Sequence, residues 1–112
     1  MAKVFGIHEI MLKPDVNVAE FEEFVSKELL PAPSLPGAKV YMLKGDQGER
    51  IGKYGLIWEW ESVEARNRCF PRGGEESEVV HDWQRANKAA VDKWHSFLER
   101  AGTYTDYVML GS

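Results

Sequence analysis

The chain has 112 residues, enough for one core but not two; its net charge of -4, with no basic stripe, excludes the electrostatic footprint of a nucleic-acid binder. The single cysteine, Cys69, excludes an internal disulfide and a thiolate zinc cluster and fits a reducing compartment. No run approaches the length of a membrane span, and Met1-Ala2-Lys3-Val4-Phe5 leads straight into strand-like sequence with no apolar leader core, so one cytoplasmic domain over residues 1–112 is expected.

Lys3 to Lys13 is rich in aliphatic residues and ends at Pro14-Asp15, a breaker pair, which predicts a first strand. Asn17 can cap a helix, with Glu20 completing a capping box, and Phe21, Phe24, Val25 and Leu29 recur at helical spacing as far as Leu30. Pro31, Pro33 and Pro36 then fix φ and remove donors, so Pro31 to Gly37 reads as a stiff return loop. Ala38 to Lys44 and Lys53 to Glu61 flank the polar, glycine-bearing stretch Gly45 to Arg50, the pattern of a hairpin. Ser62 can cap a short helix to Phe70, broken by Pro71-Arg72-Gly73-Gly74. From Glu75 to Ala101 one continuous apolar stripe, Val79, Val80, Trp83, Ala90, Val91, Trp94, Phe97, Leu98 and Ala101, predicts a single long helix. Gly102 stops it, and Thr103 to Leu110 supplies a last strand. The order β-α-β-β-α-β, with its second crossover split into a short and a long helix, is that of a ferredoxin-like α+β fold: a four-stranded antiparallel sheet with helices on one face.

Several stretches carry a family resemblance: the Leu35-Pro36-Gly37 turn, the Tyr54 to Glu59 strand running into Trp60-Glu61-Ser62-Val63-Glu64, and the closing Asp106-Tyr107-Val108-Met109-Leu110. Together they resemble the dimeric α+β barrel superfamily, in which two ferredoxin-like sheets pack face to face. That superfamily holds cofactor-free monooxygenases, haem-degrading enzymes, polyketide-type cyclases, isomerising enzymes and members without known reaction, so the fold alone selects no chemistry. His8-Glu9-Ile10-Met11-Leu12-Lys13 is similar to the first strand of cyclase-like members, whose histidine His8 would match. The departures are specific: Tyr54 stands where that subgroup has a second histidine, Cys69 lies near its short-helix tyrosine, and Pro71 to Gly74 replaces its remaining histidine. The strand-one asparagine of the haem-degrading members is absent.

Period-two alternation puts His8 on an apolar row with Val4, Gly6, Ile10 and Leu12, where it can be a general base, an oxyanion donor or a satisfied core histidine. Hairpin pairing is expected to set Tyr41 and Leu43 beside Tyr54, Leu56 and Trp58 on one face, and the resemblance implies that His8 shares that face. At about 100° per residue, Asn87 projects onto the buried stripe of the long helix, as a ligand contact or as an amide bonded to neighbouring backbone, whereas His81 projects to solvent and His95 to the flank. Trp58, Trp60, Trp83 and Trp94 fit either core or an aromatic cavity wall. Glu9 and Glu59, on the opposite face, read as a carboxylate pair for acid-base work or, in preference, as partners of lysine or arginine across an interface; Arg72 reads as an anion contact in a lid or as plain surface. Cys69 has no activating neighbour visible in sequence, and no Walker, Rossmann or zinc spacing occurs.

The reading that emerges is a small-molecule pocket between the helix layer and the sheet. Its catalytic candidates are His8, Tyr54 and Asn87, its ligand-binding candidates Tyr41, Trp58, Trp83 and Arg72, and no metal or cofactor is expected. The resemblance implies proton transfer, cyclisation or isomerisation, or cofactor-independent oxygenation of an aromatic or polyketide-like compound; a non-catalytic binding or assembly module is the alternative. A homodimer is expected through the sheet face that helices leave uncovered, with Phe5, Ile7, Met11, Val40, Met42 and Ile57 on it.

Overall fold

The computed structural model describes residues 2–71, 75–99 and 102–111. Its sheet contains β1 (Val4–Ile10), β2 (Ala38–Lys44), β3 (Tyr54–Trp60) and β4 (Tyr104–Val108) in the order β2-β3-β1-β4, every neighbour antiparallel. The ferredoxin-like order expected from sequence is therefore the one observed. β1 is shorter than Lys3 to Lys13 because its partner β3 begins at Tyr54, opposite Ile10. Beyond Ile10 the chain pairs instead with the segment after the last helix: Leu12 bridges Leu98, and Met11 O accepts the Glu99 amide at 2.9 Å.

Register decides which side chains share a face, because alternate residues point opposite ways. Val4, Gly6, His8 and Ile10 lie opposite Trp60, Trp58, Leu56 and Tyr54 of β3, and these in turn lie opposite Ala38, Val40, Met42 and Lys44 of β2. This is the helix-covered face. Tyr41 is paired with Ile57 and points the other way, so the expected row of Tyr41 with Tyr54 and Trp58 is corrected. Val40 and Met42 are likewise moved off the uncovered face, and Tyr41 and Leu43 take their place. Loop length alone does not set that register; the pairing of Lys44 with Tyr54 does.

The helices are α1 (Val18–Phe24), α2 (Val63–Cys69), α3 (Glu78–Ala86) and α4 (Lys88–Phe97). Asn17 Oδ1 caps α1 by accepting the Glu20 amide at 3.0 Å, and Ser62 Oγ caps α2 by accepting the Ala65 amide at 3.1 Å, both as the sequence signals. The second half of the first helix, Val25–Leu29, winds as a π-helix, a form that concentrates at functional sites. The single long helix expected from Glu75 to Ala101 is broken at Asn87, which adopts φ -119° and ψ 29°. Hydrogen bonds still cross the break, from Asn87 N to Trp83 O and from Val91 N to Asn87 O, both at 3.0 Å. The apolar stripe therefore continues, and periodicity alone does not register the kink.

The core divides in two. Ile10, Phe21, Phe24, Val25, Tyr54, Leu56 and Phe97 form one cluster, and Val4, Leu35, Trp60, Cys69 and Val80 form another. Trp58 packs against both, Trp94 against the first and Trp83 against the second. On β1 the residues between the clusters are Gly6 and His8, neither of which can fill the gap with aliphatic bulk. The middle of the sheet is thus where room is left.

Candidate functional site

Beside that gap, over β2 and β3, lies a cavity of about 170 Å³, roofed by Trp83, Ala90, Val91 and Trp94 and floored by Val40, Leu56 and Trp58. The π-helical turn closes one side through Leu29 and Leu30, and the proline loop closes another through Ala32, Pro33 and Ser34. Trp83 is held in place by its indole N–H, which donates to Pro33 O at 2.6 Å. Trp58 is backed by Trp60, their rings nearly parallel at 13° and 5.7 Å apart. The walls are apolar, and the polar side chains among them are Ser34, Gln84 and His95. Gln84 already donates to Glu76 at 3.1 Å, whereas the side chains of Ser34 and His95 carry no hydrogen bond to any described residue.

His8 lies on the covered face directly across from Leu56, one strand from the cavity floor. It is half-buried, and its ring stacks on Tyr104 of β4 at 5.0 Å and 15°. Among the described residues neither ring nitrogen has a hydrogen-bond partner. Burial pushes the imidazole below its ordinary value, and the Asp106 carboxylate opposes that shift. Asp106 is itself bound by Arg66 of α2, Nη1 to Oδ2 at 2.5 Å. A neutral, unpartnered imidazole in a half-buried setting can accept a proton near neutral pH.

The other sequence candidates fall in different places. Tyr54 is in the core, edge-on to Phe21, and its hydroxyl donates to Glu22, which also pairs with Lys44 at 2.8 Å. Burial, then the Glu22 hydrogen bond, raises the Tyr54 phenol above its usual range, so it is a poor proton donor. Asn87 Nδ2 donates to Trp83 O at 2.9 Å, so the amide serves the helix break. No hydrogen bond joins His8 to Tyr54 or Asn87, and neither His8 nor Asn87 lines the tryptophan cavity. Trp58 and Trp83 are cavity walls, Tyr41 is on the far face, and Arg72 with Gly73 and Gly74 lies outside the described residues. Cys69 is buried, and burial raises its thiol, against a nucleophilic role. His81 faces Glu76 and Glu78 at 3.4 and 3.7 Å, and no group of metal-ligating residues occurs among the described residues. Glu9 and Glu59 find their cations within the chain, Arg50 at 3.6 Å and Lys3 at 3.2 Å.

Sequence reasoning missed His95, Ser34, Asp106 and Arg66. His95 projected to the flank, and the flank of α4 is the cavity mouth. Alternation along β4 does set Asp106 with Tyr104 and Val108, but only the pairing of Gly6 with Asp106 brings it to His8.

No family model matches the chain, and no curated protein matches it. Among solved structures it is similar to a dabb family protein with a ferredoxin-like fold from Mesorhizobium loti, at 19% identity and TM-score 0.58, covering 99% of this chain and 100% of that one. It is similar to a dimeric protein of unknown function with a ferredoxin-like fold from Bacteroides fragilis, at 16% identity and TM-score 0.55, covering 96% of each chain. A candidate antibiotic biosynthesis monooxygenase from Bordetella bronchiseptica is similar at 17% identity and TM-score 0.54, again over 96% of each chain. The likeness shows the fold, which is ferredoxin-like. Among the described residues no helix is long and apolar enough to cross a membrane.

Proposed function

We propose that this chain is a single-domain, cytoplasmic, small-molecule-binding protein that seats one aromatic ring of its ligand among Trp58, Trp83 and Trp94. The cavity between the helix layer and the sheet carries this reading. An apolar cavity of about 150 Å³ accommodates a benzene ring, and 170 Å³ here therefore suits one ring with small substituents rather than a buried polycycle. Flat aromatic walls favour a flat guest, and the free side chains of Ser34 and His95 supply the few polar contacts that orient a ligand in such a pocket. The rest of a larger, polyketide-like compound would pass out through the mouth.

His8 is the residue we assign to chemistry, as a base for cofactor-independent oxygenation, cyclisation or isomerisation of that compound. Support comes from its unpartnered nitrogens and its place beside the cavity floor. Tyr54 Oη and Asn87 Nδ2 are bound internally, and Asn87 serves the pocket through the carbonyl of its wall residue Trp83. The chain works as a homodimer through the uncovered sheet face in this reading, in line with the Bacteroides fragilis protein described as dimeric.

The test is a titration with phenol and resorcinol followed by the four tryptophan indole N–H resonances. Trp58, Trp83 and Trp94 should shift together and saturate, while Trp60, which lines no part of the cavity, stays still. Silence of all four, or a shift of Trp60 alone, would remove the proposed site. If a bound phenol turns over, His8→Gln should slow the reaction by about 10²- to 10⁴-fold, the usual size of a general-base contribution. Binding that survives without turnover in either protein would leave a non-catalytic ligand carrier.

A further inference from the structure

The surroundings of His8 hold a second arrangement, on the side of the ring away from the cavity. Gly6 lies between Trp58 on β3 and Asp106 on β4. A Cβ added at Gly6 would come within 2.7 Å of Asp106 Oδ1 and 3.7 Å of His8 Nε2, so a carboxylate oxygen and an imidazole nitrogen open onto one notch that only glycine leaves empty. No direct bond joins the two atoms, and a single bridging water is the ordinary way for such a pair to satisfy each other. Asp106 has no freedom to turn away. Its Oδ2 accepts from Arg66 Nη1 at 2.5 Å, and Arg66 is braced by its own Nε donating to Asn67 Oδ1 at 2.9 Å. Tyr104, stacked on the imidazole, limits rotation of the ring.

We propose that Asp106, pinned by Arg66, is the positioning residue for His8: through a water over Gly6 it keeps the imidazole proton on Nε2 and so presents the Nδ1 lone pair as the base. The negative charge of a carboxylate on the Nε2 side favours the tautomer with its hydrogen there, a bridging water then donating to Asp106 and accepting from Nε2–H, and in that neutral tautomer the other nitrogen is the acceptor. When Nδ1 takes a proton from a substrate O–H or acidic C–H, the substrate keeps the electron pair as an anion. His8 becomes imidazolium, and Asp106 remains a carboxylate beside it, its charge balanced by Arg66. The substrate class implied is a phenol, enol or other weak carbon acid. This assignment rests on reading His8 as the base, but it concerns a tautomer and can be tested without any substrate.

The experiment is nitrogen-15 NMR of the histidine side chains in the wild type, Asp106→Asn, Gly6→Ala and Arg66→Gln proteins. Neutral wild-type His8 should carry its proton on Nε2. Asp106→Asn should reduce the preference for that tautomer roughly tenfold, the worth of one hydrogen bond to an ionised group, and lower the His8 titration further. Gly6→Ala, which keeps the carboxylate but fills the notch, should act in the same direction, and Arg66→Gln, which frees the carboxylate to turn, should weaken the preference less. A wild-type proton on Nδ1 overturns the proposal, as does an unchanged His8 spectrum in folded Asp106→Asn or Gly6→Ala. If one variant fails to fold, the wild-type tautomer and the remaining variants decide. The phenol titration separates this proposal from the functional one: an Nε2 tautomer that depends on Asp106, in a protein whose tryptophans never respond to phenols, keeps the positioning role and discards the ligand.

Discussion

A half-buried imidazole that makes no protein hydrogen bond has lost part of its hydration, so its charged form is disfavoured in the folded protein. The folded value of His8 lies below the ordinary 6.5, burial being the larger cause and Asp106 acting against it. Its sign is fixed by linkage: the unfolded chain binds the His8 proton more readily, so the stability at stake is present above the unfolded value and is lost as pH falls through the folded one. Asp106 on β4, with its Arg66 partner on α2, and the neutral Tyr104 are the described polar groups facing the ring, so the window belongs to His8 and its carboxylate neighbour. Denaturant midpoints at about pH 7.5 and about pH 5.5, either side of the histidine range, should fall for the wild type on acidification and fall less for His8→Gln. Equal losses in the two proteins would place the acid sensitivity elsewhere. Alternation along one strand was enough to put His8 in a row with Val4, Gly6 and Ile10, because that row is decided within the strand, and the resemblance supplied the face, which the register bears out. Its relation to Asp106 was not legible, because it needs the β1–β4 register. The Tyr41 error has the same origin: its face depends on which residue of β3 it meets.

At the level of elements, the capped helices were readable because a cap is a local contract between a side chain and an amide three residues on, as Asn17 with Glu20 and Ser62 with Ala65 show. The break at Asn87 was hidden because the projection that set it on the buried stripe is indifferent to whether its amide meets a ligand or the Trp83 carbonyl. Similarly, Gly102 reads in sequence as a helix stop, but its structural task is to let β4 approach β1. A Cβ there would sit 1.7 Å from the Glu9 carbonyl oxygen, beside the bond from Glu9 N to Thr103 O at 3.0 Å. Gly102→Ala must therefore push the start of β4 outward, at a cost of about 1–3 kcal/mol for an overpacked site. Gly48→Ala offers the contrast, with open space around it but φ of +102°, and should cost only about 1 kcal/mol through backbone strain. Urea denaturation ranks the two, and loss of amide-exchange protection at Glu9 in Gly102→Ala alone identifies the mechanism. Equal costs with Glu9 still protected would mean that the strands adjust freely.

The whole molecule has one sheet and one helix layer, and so one sheet face that no helix covers. Ile7 and Tyr41, each 41% exposed, with Leu43 at 50% and Tyr107 at 55%, spread apolar surface across all of β1, β2 and β4 there, and Ile57 of β3 joins them. On the same face the two carboxylates have partners within the chain, Glu59 with Lys3 at 3.2 Å and with the Tyr41 hydroxyl at 3.3 Å, and Glu9 with Arg50 at 3.6 Å, and exposed Lys39 lies opposite Glu59 at the start of β2. The apolar centre of such a face can meet a second copy of itself about a two-fold axis, with Lys39 left towards the end of the sheet. Ile7 is the central position, opposite Ile57 on one side and Thr105 on the other. Ile7→Lys puts an uncompensated ammonium at that centre twice over. A buried unpaired charge costs about 3–5 kcal/mol, enough to weaken a micromolar dimer by two orders of magnitude or more. Light scattering should give twice the chain mass for the wild type and the chain mass for Ile7→Lys, with circular dichroism unchanged. Because the tryptophan cavity lies on the opposite side of the sheet, the monomeric variant should still show the indole shifts with phenol. A wild type that is monomeric at micromolar concentration sinks the dimer, and loss of ligand response in folded Ile7→Lys would mean that the cavity depends on the partner after all.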